Sequence, residues 1–208
     1  MELLARLLGG IEKVKIMRLF LHHEDSVLSL QDVVLKTKSK SLLVRKELAS
    51  LVTIGFLEKK RSKMVVTLGS GRKISSKVKE VNGYRINPLF PHNQALKDLL
   101  FDFKSVDKRE LAARFKSVGR IKLFITSGVF IGDEKSRVDI FIVGEAINRA
   151  KAEKILEVLT AELGREVIYS IMDVEEYEYR YKMYDKFVRD IIEMDHEKVI
   201  DKLKEFKK

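Results

Sequence analysis

The sequence predicts an α+β protein of two modules, and three observations carry that expectation. Apolar residues recur at helical spacing through three successive segments between Ile11 and Gly55, and runs of β-type residues follow as far as Asn87. Beyond Pro88 and Pro91, the only prolines of the chain, strand-like and helix-like segments alternate. The formal charge of +10 divides at the same place. Residues 1 to 90 hold 18 Lys plus Arg against 8 Asp plus Glu, and residues 91 to 208 hold 23 against 23. A basic module is joined to a neutral one.

In the first module, Ile11 to His22 places Val14, Met17 and Leu21 on one helical face with Ile16 and Phe20 beside them. Ser29-Leu30-Gln31-Asp32 reads as a helix start, because the serine hydroxyl and the aspartate three residues on satisfy orphan amides, and this second helix ends near Thr37. After the polar turn Lys38-Ser39, KSLLVRKELASLVTIG sets Val44, Leu48 and Leu51 on one face, with Gly55 as a left-handed C-terminal cap. Strand-type residues then occupy Phe56 to Lys60, Lys63 to Leu68 and Val78 to Asn87, separated by the turn Gly69-Ser70-Gly71 and a basic, serine-rich stretch. Three helices followed by a two- or three-stranded hairpin make a helix-turn-helix unit with a wing.

The charge asymmetry points to a polyanion, since side chains that neutralise phosphates release condensed counterions. Two surfaces would present that charge: the third helix with its preceding turn, through Lys38, Lys40, Ser41, Arg45 and Lys46, and the wing, through Arg61, Lys63, Arg72, Lys73, Lys77 and Lys79. For any one lysine the alternative is a solvated surface position. Gly69-Ser70-Gly71 lacks the Gly-Lys-Ser/Thr ending of a phosphate loop and reads as a hairpin turn.

On these residues the segment LVRKELASLVTIGFLEKKR resembles the recognition helix and wing entry of winged-helix repressors of the ArsR and MarR type. The resemblance covers about residues 10 to 90 and implies double-stranded DNA as the partner, although winged helices also bind RNA and other proteins.

The junction Asn87-Pro88-Leu89-Phe90-Pro91 continues neither a helix nor a central strand and sets a domain boundary. The expected organisation is a DNA-binding domain over 1–90, linker helices over 91–117 (Asn93 to Phe103 and Lys108 to Lys116), and a second domain over 118–208. There, strands are expected at Arg120 to Thr126, Arg137 to Val143 and Glu166 to Met172, with a helix from Ala146 to Leu163 and another from Val174, capped by Asp173.

The stretch LFITSGVFIGDEKSRVDIFIVGE resembles the signature of minimal nucleotidyltransferases, in which Gly-Ser ends one strand and an Asp-x-Asp pair opens the next. That chemistry needs convergent carboxylates to hold divalent ions against nucleotide phosphates. Asp139 matches the second aspartate, but Arg137 stands at the first, Ser127-Gly128 reverses the Gly-Ser order, and VIYSIM offers no third acid. The resemblance therefore implies a degenerate nucleotidyltransferase site made of Ser127, Gly128, Arg137 and Asp139, without catalytic residues. Arg137 could pair with Asp139 along the same strand face, or Ser127, Gly128 and Arg137 could cradle the phosphate of a nucleotide effector without magnesium.

Other chemistry is poorly supplied. The chain has no cysteine, which removes disulfides, thiolate metal sites and cysteine nucleophiles. His22, His23, His92 and His196 are too scattered for zinc, and no cofactor is expected. Tyr177, Tyr181 and Tyr184 share helical spacing and read as a packing or dimerisation seam rather than a stacking platform, given Glu175, Glu176 and Glu178 beside them. Leu3, Leu4, Leu7 and Leu8 form another apolar patch, read as a dimer seam or as a helix folded onto the second domain. No apolar run is long enough to span a bilayer, so a cytoplasmic protein without membrane contact is expected. The function expected is a DNA-binding transcriptional regulator, possible as a homodimer reading two half-sites. The alternatives are an active nucleotidyltransferase acting on a nucleic acid or protein substrate, and an adaptor whose basic patch binds an acidic protein.

Overall fold

The computed structural model describes residues 2–68, 75–103, 106–133 and 135–203. It is a mixed α+β protein with two sheets. The chain divides into two compact units, one made of residues 1–101 with 161–165 and the other of residues 102–160 with 166–208.

The first unit opens with helix α1 (Glu2–Leu8) and the central helix α2 (Ile11–His22). The spacing in α2 predicts one apolar face, yet Val14, Ile16, Met17, Leu19, Phe20 and Leu21 are all buried. A helix with so much of its surface apolar is wrapped by its neighbours rather than laid on them. Strand β1 (Leu28–Ser29), too short to leave a periodic signal, leads into α3 (Leu30–Thr37). The Ser29 hydroxyl accepts from the Asp32 amide at 3.2 Å, and the Asp32 carboxylate accepts from the Ser29 amide at 2.8 Å, so the expected cap is reciprocal. Helix α4 (Ser41–Thr53) buries Val44, Leu48 and Leu51 and ends ahead of Gly55, whose φ of +81° gives the expected left-handed turn.

Strands β2 (Leu57–Leu68) and β3 (Ser75–Ile86) form one long antiparallel hairpin, registered from Leu57 opposite Ile86 to Leu68 opposite Ser75. The two strands read at Phe56 to Lys60 and Lys63 to Leu68 are thus one continuous strand. The basic interruption Arg61-Ser62 does not break it, because paired backbone amides rather than side-chain polarity hold a strand together. The turn Gly69-Ser70-Gly71 lies outside the described residues. Sheet order is β1-β3-β2, with Ser29 opposite Gly83. A Cβ at Gly83 would stand 2.5 Å from Val27 Cγ1, so β1 sits close against β3 only because that residue has no side chain. Helix α5 (Asn93–Leu100) follows, and Leu100 joins the core formed by α2, α3, α4 and the base of the hairpin. Each fully buried aliphatic side chain there contributes about 1.5 to 3 kcal/mol.

In the second unit, α6 (Lys108–Arg114) is capped by Asp107 and precedes β4 (Arg120–Thr126), a 3-10 turn over Gly128–Phe130, and β5 (Ile140–Glu145). Helix α7 (Arg149–Leu163) carries the chain to β6 (Tyr169–Asp173), which lies parallel to β5. Then come α8 (Val174–Lys182), α9 (Lys186–Glu193) and β7 (Glu197–Asp201). The sheet runs β6-β5-β4-β7, with β4 antiparallel to both neighbours. The strand read from Arg137 begins at Ile140, because Arg137 and Asp139 are committed to contacts described below. Leu123, Ile125, Phe141, Val143, Met172, Tyr177, Val188 and Ile191 make the core between the sheet and α8 and α9.

Candidate functional site

On α4 the buried stripe of Val44, Leu48 and Leu51 turns Leu42, Arg45, Lys46 and Ala49 to solvent. These outward positions follow the i, i+3, i+4, i+7 rule and form one continuous face. The single acid of the helix, Glu47, is drawn inward, its carboxylate 3.3 Å from the Lys13 ammonium of α2. The outward face is therefore cationic and apolar with no carboxylate. Lys38, at φ +50° after α3, together with Lys40 and Ser41, is exposed at its leading end.

On β2, Lys59, Lys60 and Arg61 are exposed, whereas Glu58 is held by Arg85, with Nε donating to Oε1 at 3.0 Å. Here too the nearby acid is matched within the protein while the adjoining cations face water. Of the other wing positions, Arg72 and Lys73 lie outside the described residues. Lys63 lies within β2, opposite Glu80, and Lys77 and Lys79 lie within β3.

The second candidate centre is arranged differently from its sequence reading. Asp139 is 4% exposed, and both carboxylate oxygens accept backbone N–H groups, Oδ1 from Val129 at 2.9 Å and Oδ2 from Ile168 at 2.9 Å. The carboxylate thereby ties the 3-10 turn after β4 to the segment that enters β6. Gly128, at φ +56°, lies directly against it. The Ser127 hydroxyl points inward and donates to the Val138 carbonyl. Arg137 does not pair with Asp139. Its guanidinium reaches α9 instead, donating from Nε to Asp190 Oδ2 at 2.9 Å, with Nη2 2.7 Å from the same oxygen. Asp139 is buried with a backbone amide on each oxygen, whereas Asp190 is accessible to the exposed arginine. Ser127, Gly128 and Arg137 accordingly form no phosphate cradle, and an anion beside Gly128 would meet the Asp139 carboxylate.

A buried cation in the first unit has no counterpart in the sequence reading. Arg18 is 1% exposed; its Nε donates to the Leu100 carbonyl at 2.8 Å and Nη1 to the Glu162 carbonyl at 2.9 Å. Both acceptors lie at helix C-termini, where a cation complements the dipole. Burial pushes the guanidinium down to about 10, with Glu162 opposing that shift. The signal was available: Arg18 stands amid Ile16, Met17, Leu19, Phe20 and Leu21, which leaves it no exposed face.

Of the three tyrosines at helical spacing only Tyr177 is buried, and Tyr181 and Tyr184 are exposed. Tyr177 is buried against Phe141, and Tyr181 stacks on it with ring centroids 6.0 Å apart. Tyr184 falls in the break between α8 and α9 at φ +56°, with the Arg189 guanidinium 5.1 Å from its ring. The His22 and His23 rings meet edge to face, and among the described residues no three His, Cys, Asp or Glu side chains converge on a common point. No helix among the described residues is long and apolar enough to cross a membrane.

Compared with known proteins, the chain matches no family model, no curated protein and no solved structure.

Proposed function

We propose that the protein is a DNA-binding transcriptional regulator in which the first unit acts as a winged helix. Helix α4 enters the major groove and the β2–β3 hairpin follows the phosphates. The observation that carries this reading is the outward face of α4, where Arg45 and Lys46 stand free of acids because Glu47 is turned back to Lys13. Helix, short capped helix, turn, helix and antiparallel hairpin also follow one another in the order such a reader requires. Cations on two successive elements supply the sequence-independent part of affinity, and the helix face supplies base readout.

The second unit is read as a nucleotidyltransferase-like module that does no chemistry and serves assembly or sensing. Metal-assisted transfer needs convergent carboxylates, and Asp139 is buried with a backbone amide on each oxygen while Arg137, at the position of the first aspartate, pairs with Asp190. A homodimer would read two half-sites about one helical turn apart.

The test is binding of the full-length protein to sheared genomic DNA at two salt concentrations, with sequencing of the retained fragments. Discrete, partly palindromic sites are expected at the higher salt. Arg45→Ala with Lys46→Ala should weaken binding to those sites at least about tenfold, and unchanged affinity would sink the docking scheme.

A further inference from the structure

We infer that Leu42 reads the methyl group of a thymine, which makes it a specificity-determining residue of the DNA-facing helix. The inference rests on α4 being that helix.

Leu42 is 79% exposed and lies one turn ahead of Arg45 and Lys46, in line with Ala49 a turn further on. It belongs to the outward stripe, whereas the core of the unit takes Val44, Leu48 and Leu51 from the opposite side of the helix. Its exposed neighbours in sequence are Lys40, Ser41, Leu43, Arg45 and Lys46, of which Leu43 is 40% exposed against 79% for Leu42. An apolar protein surface laid on Leu42 would take the charges beside it out of water without partners, which is costly. Duplex DNA satisfies both kinds of residue at once. Its phosphates accept the cations, and in the major groove the apolar group displayed by base edges is the thymine C5-methyl. Ala49 has only a methyl side chain and lets the next turn of the helix come close to the groove floor.

Burying one methyl against a leucine is worth about fourfold in affinity. The probe is a duplex recovered from a random-sequence pool by the full-length protein, together with copies in which each thymine in turn is replaced by uracil, a change that deletes the C5-methyl alone. For the unaltered protein, one or two uracil positions should weaken binding about fourfold. Leu42→Ala should bind the thymine and uracil forms equally at those positions. Both residues are good helix formers and the site is exposed, so the fold is retained.

Insensitivity to uracil at every position, or sensitivity that persists in Leu42→Ala, would overturn the assignment of Leu42 while leaving salt-dependent duplex binding in place. Failure to bind any duplex would overturn the DNA-facing role of α4 itself.

Discussion

A Cβ built on Gly128 would stand 2.2 Å from Oδ1 of Asp139, so the turn after β4 closes over the carboxylate only because residue 128 has no side chain. The same residue holds φ +56°, a region that costs other residues about 1 to 3 kcal/mol. Gly128→Ala therefore combines backbone strain with a direct clash. We expect a loss of about 3 kcal/mol in chemical denaturation. A loss below about 1 kcal/mol would mean that the turn re-forms away from Asp139.

Asp139 itself should behave as a structural acceptor. Asp139→Asn replaces one acceptor oxygen by a donor that faces a backbone N–H, and Asp139→Ala leaves the amides of Val129 and Ile168 without partners. Stability should fall by about 2 to 4 kcal/mol in either variant. Arg137→Ala removes an ion pair at a half-exposed arginine and should cost no more than about 1 kcal/mol. Equal losses for Asp139→Asn and Arg137→Ala would contradict the division of labour between a buried tie and a surface pair.

Arg18 offers a sharper test of burial. Arg18→Met keeps much of the side-chain volume but leaves the carbonyls of Leu100 and Glu162 without their donor. It should cost about 3 kcal/mol or more by thermal unfolding. A neutral outcome would mean that the desolvation cost of the guanidinium offsets what its two hydrogen bonds contribute.

Tyr177 makes stability depend on alkaline pH. Burial, with Tyr181 and Asp201 adding to it, pushes the phenol from its ordinary 10 up to about 12. Between those values the unfolded chain has lost the proton and the folded protein keeps it, so this contribution declines as pH rises from 10 towards 12. In Tyr177→Phe the phenolate absorbance step near pH 12 should vanish, and the alkaline loss of stability should become shallower. Persistence of that step would assign it to another residue.

On the hairpin, each of Lys59, Lys60 and Arg61 that touches a phosphate contributes about 0.9 to the slope of log affinity against log salt. Replacing all three with glutamine should flatten the slope without changing which sites are bound. A slope that stays the same would remove this part of β2 from the interface.

What could be read in the sequence was local. The Ser29–Asp32 cap, the end of α4 at Gly55 and the buried triplet Val44, Leu48 and Leu51 depend on residues within a turn or two of one another, and such patterns survive tertiary packing. What could not be read was set by distant partners. Strand β1 exists because Leu28 and Ser29 pair with Tyr84 and Gly83. Asp190 takes Arg137 from a position 53 residues away. The break between α8 and α9 is made by Tyr184 at positive φ, without a glycine or proline to mark it, so nothing local in the sequence shows that one helix ends and another begins there. The outward face of α4 was legible as a row of cations, but the inward turn of Glu47 that clears it of acid depends on Lys13 of another helix.

Residues 161–165 belong to the first unit although nearly sixty residues separate them from its other part. On the ribosome, the amino-terminal half therefore emerges well before the carbonyl of Glu162 that its buried Arg18 requires. Until that segment is made, the Arg18 guanidinium has the Leu100 carbonyl within the chain but lacks that of Glu162. The usual vectorial order, in which a leading domain is complete before the next is synthesised, does not complete the first unit here, because Arg18 gains its second acceptor only once Glu162 has been added.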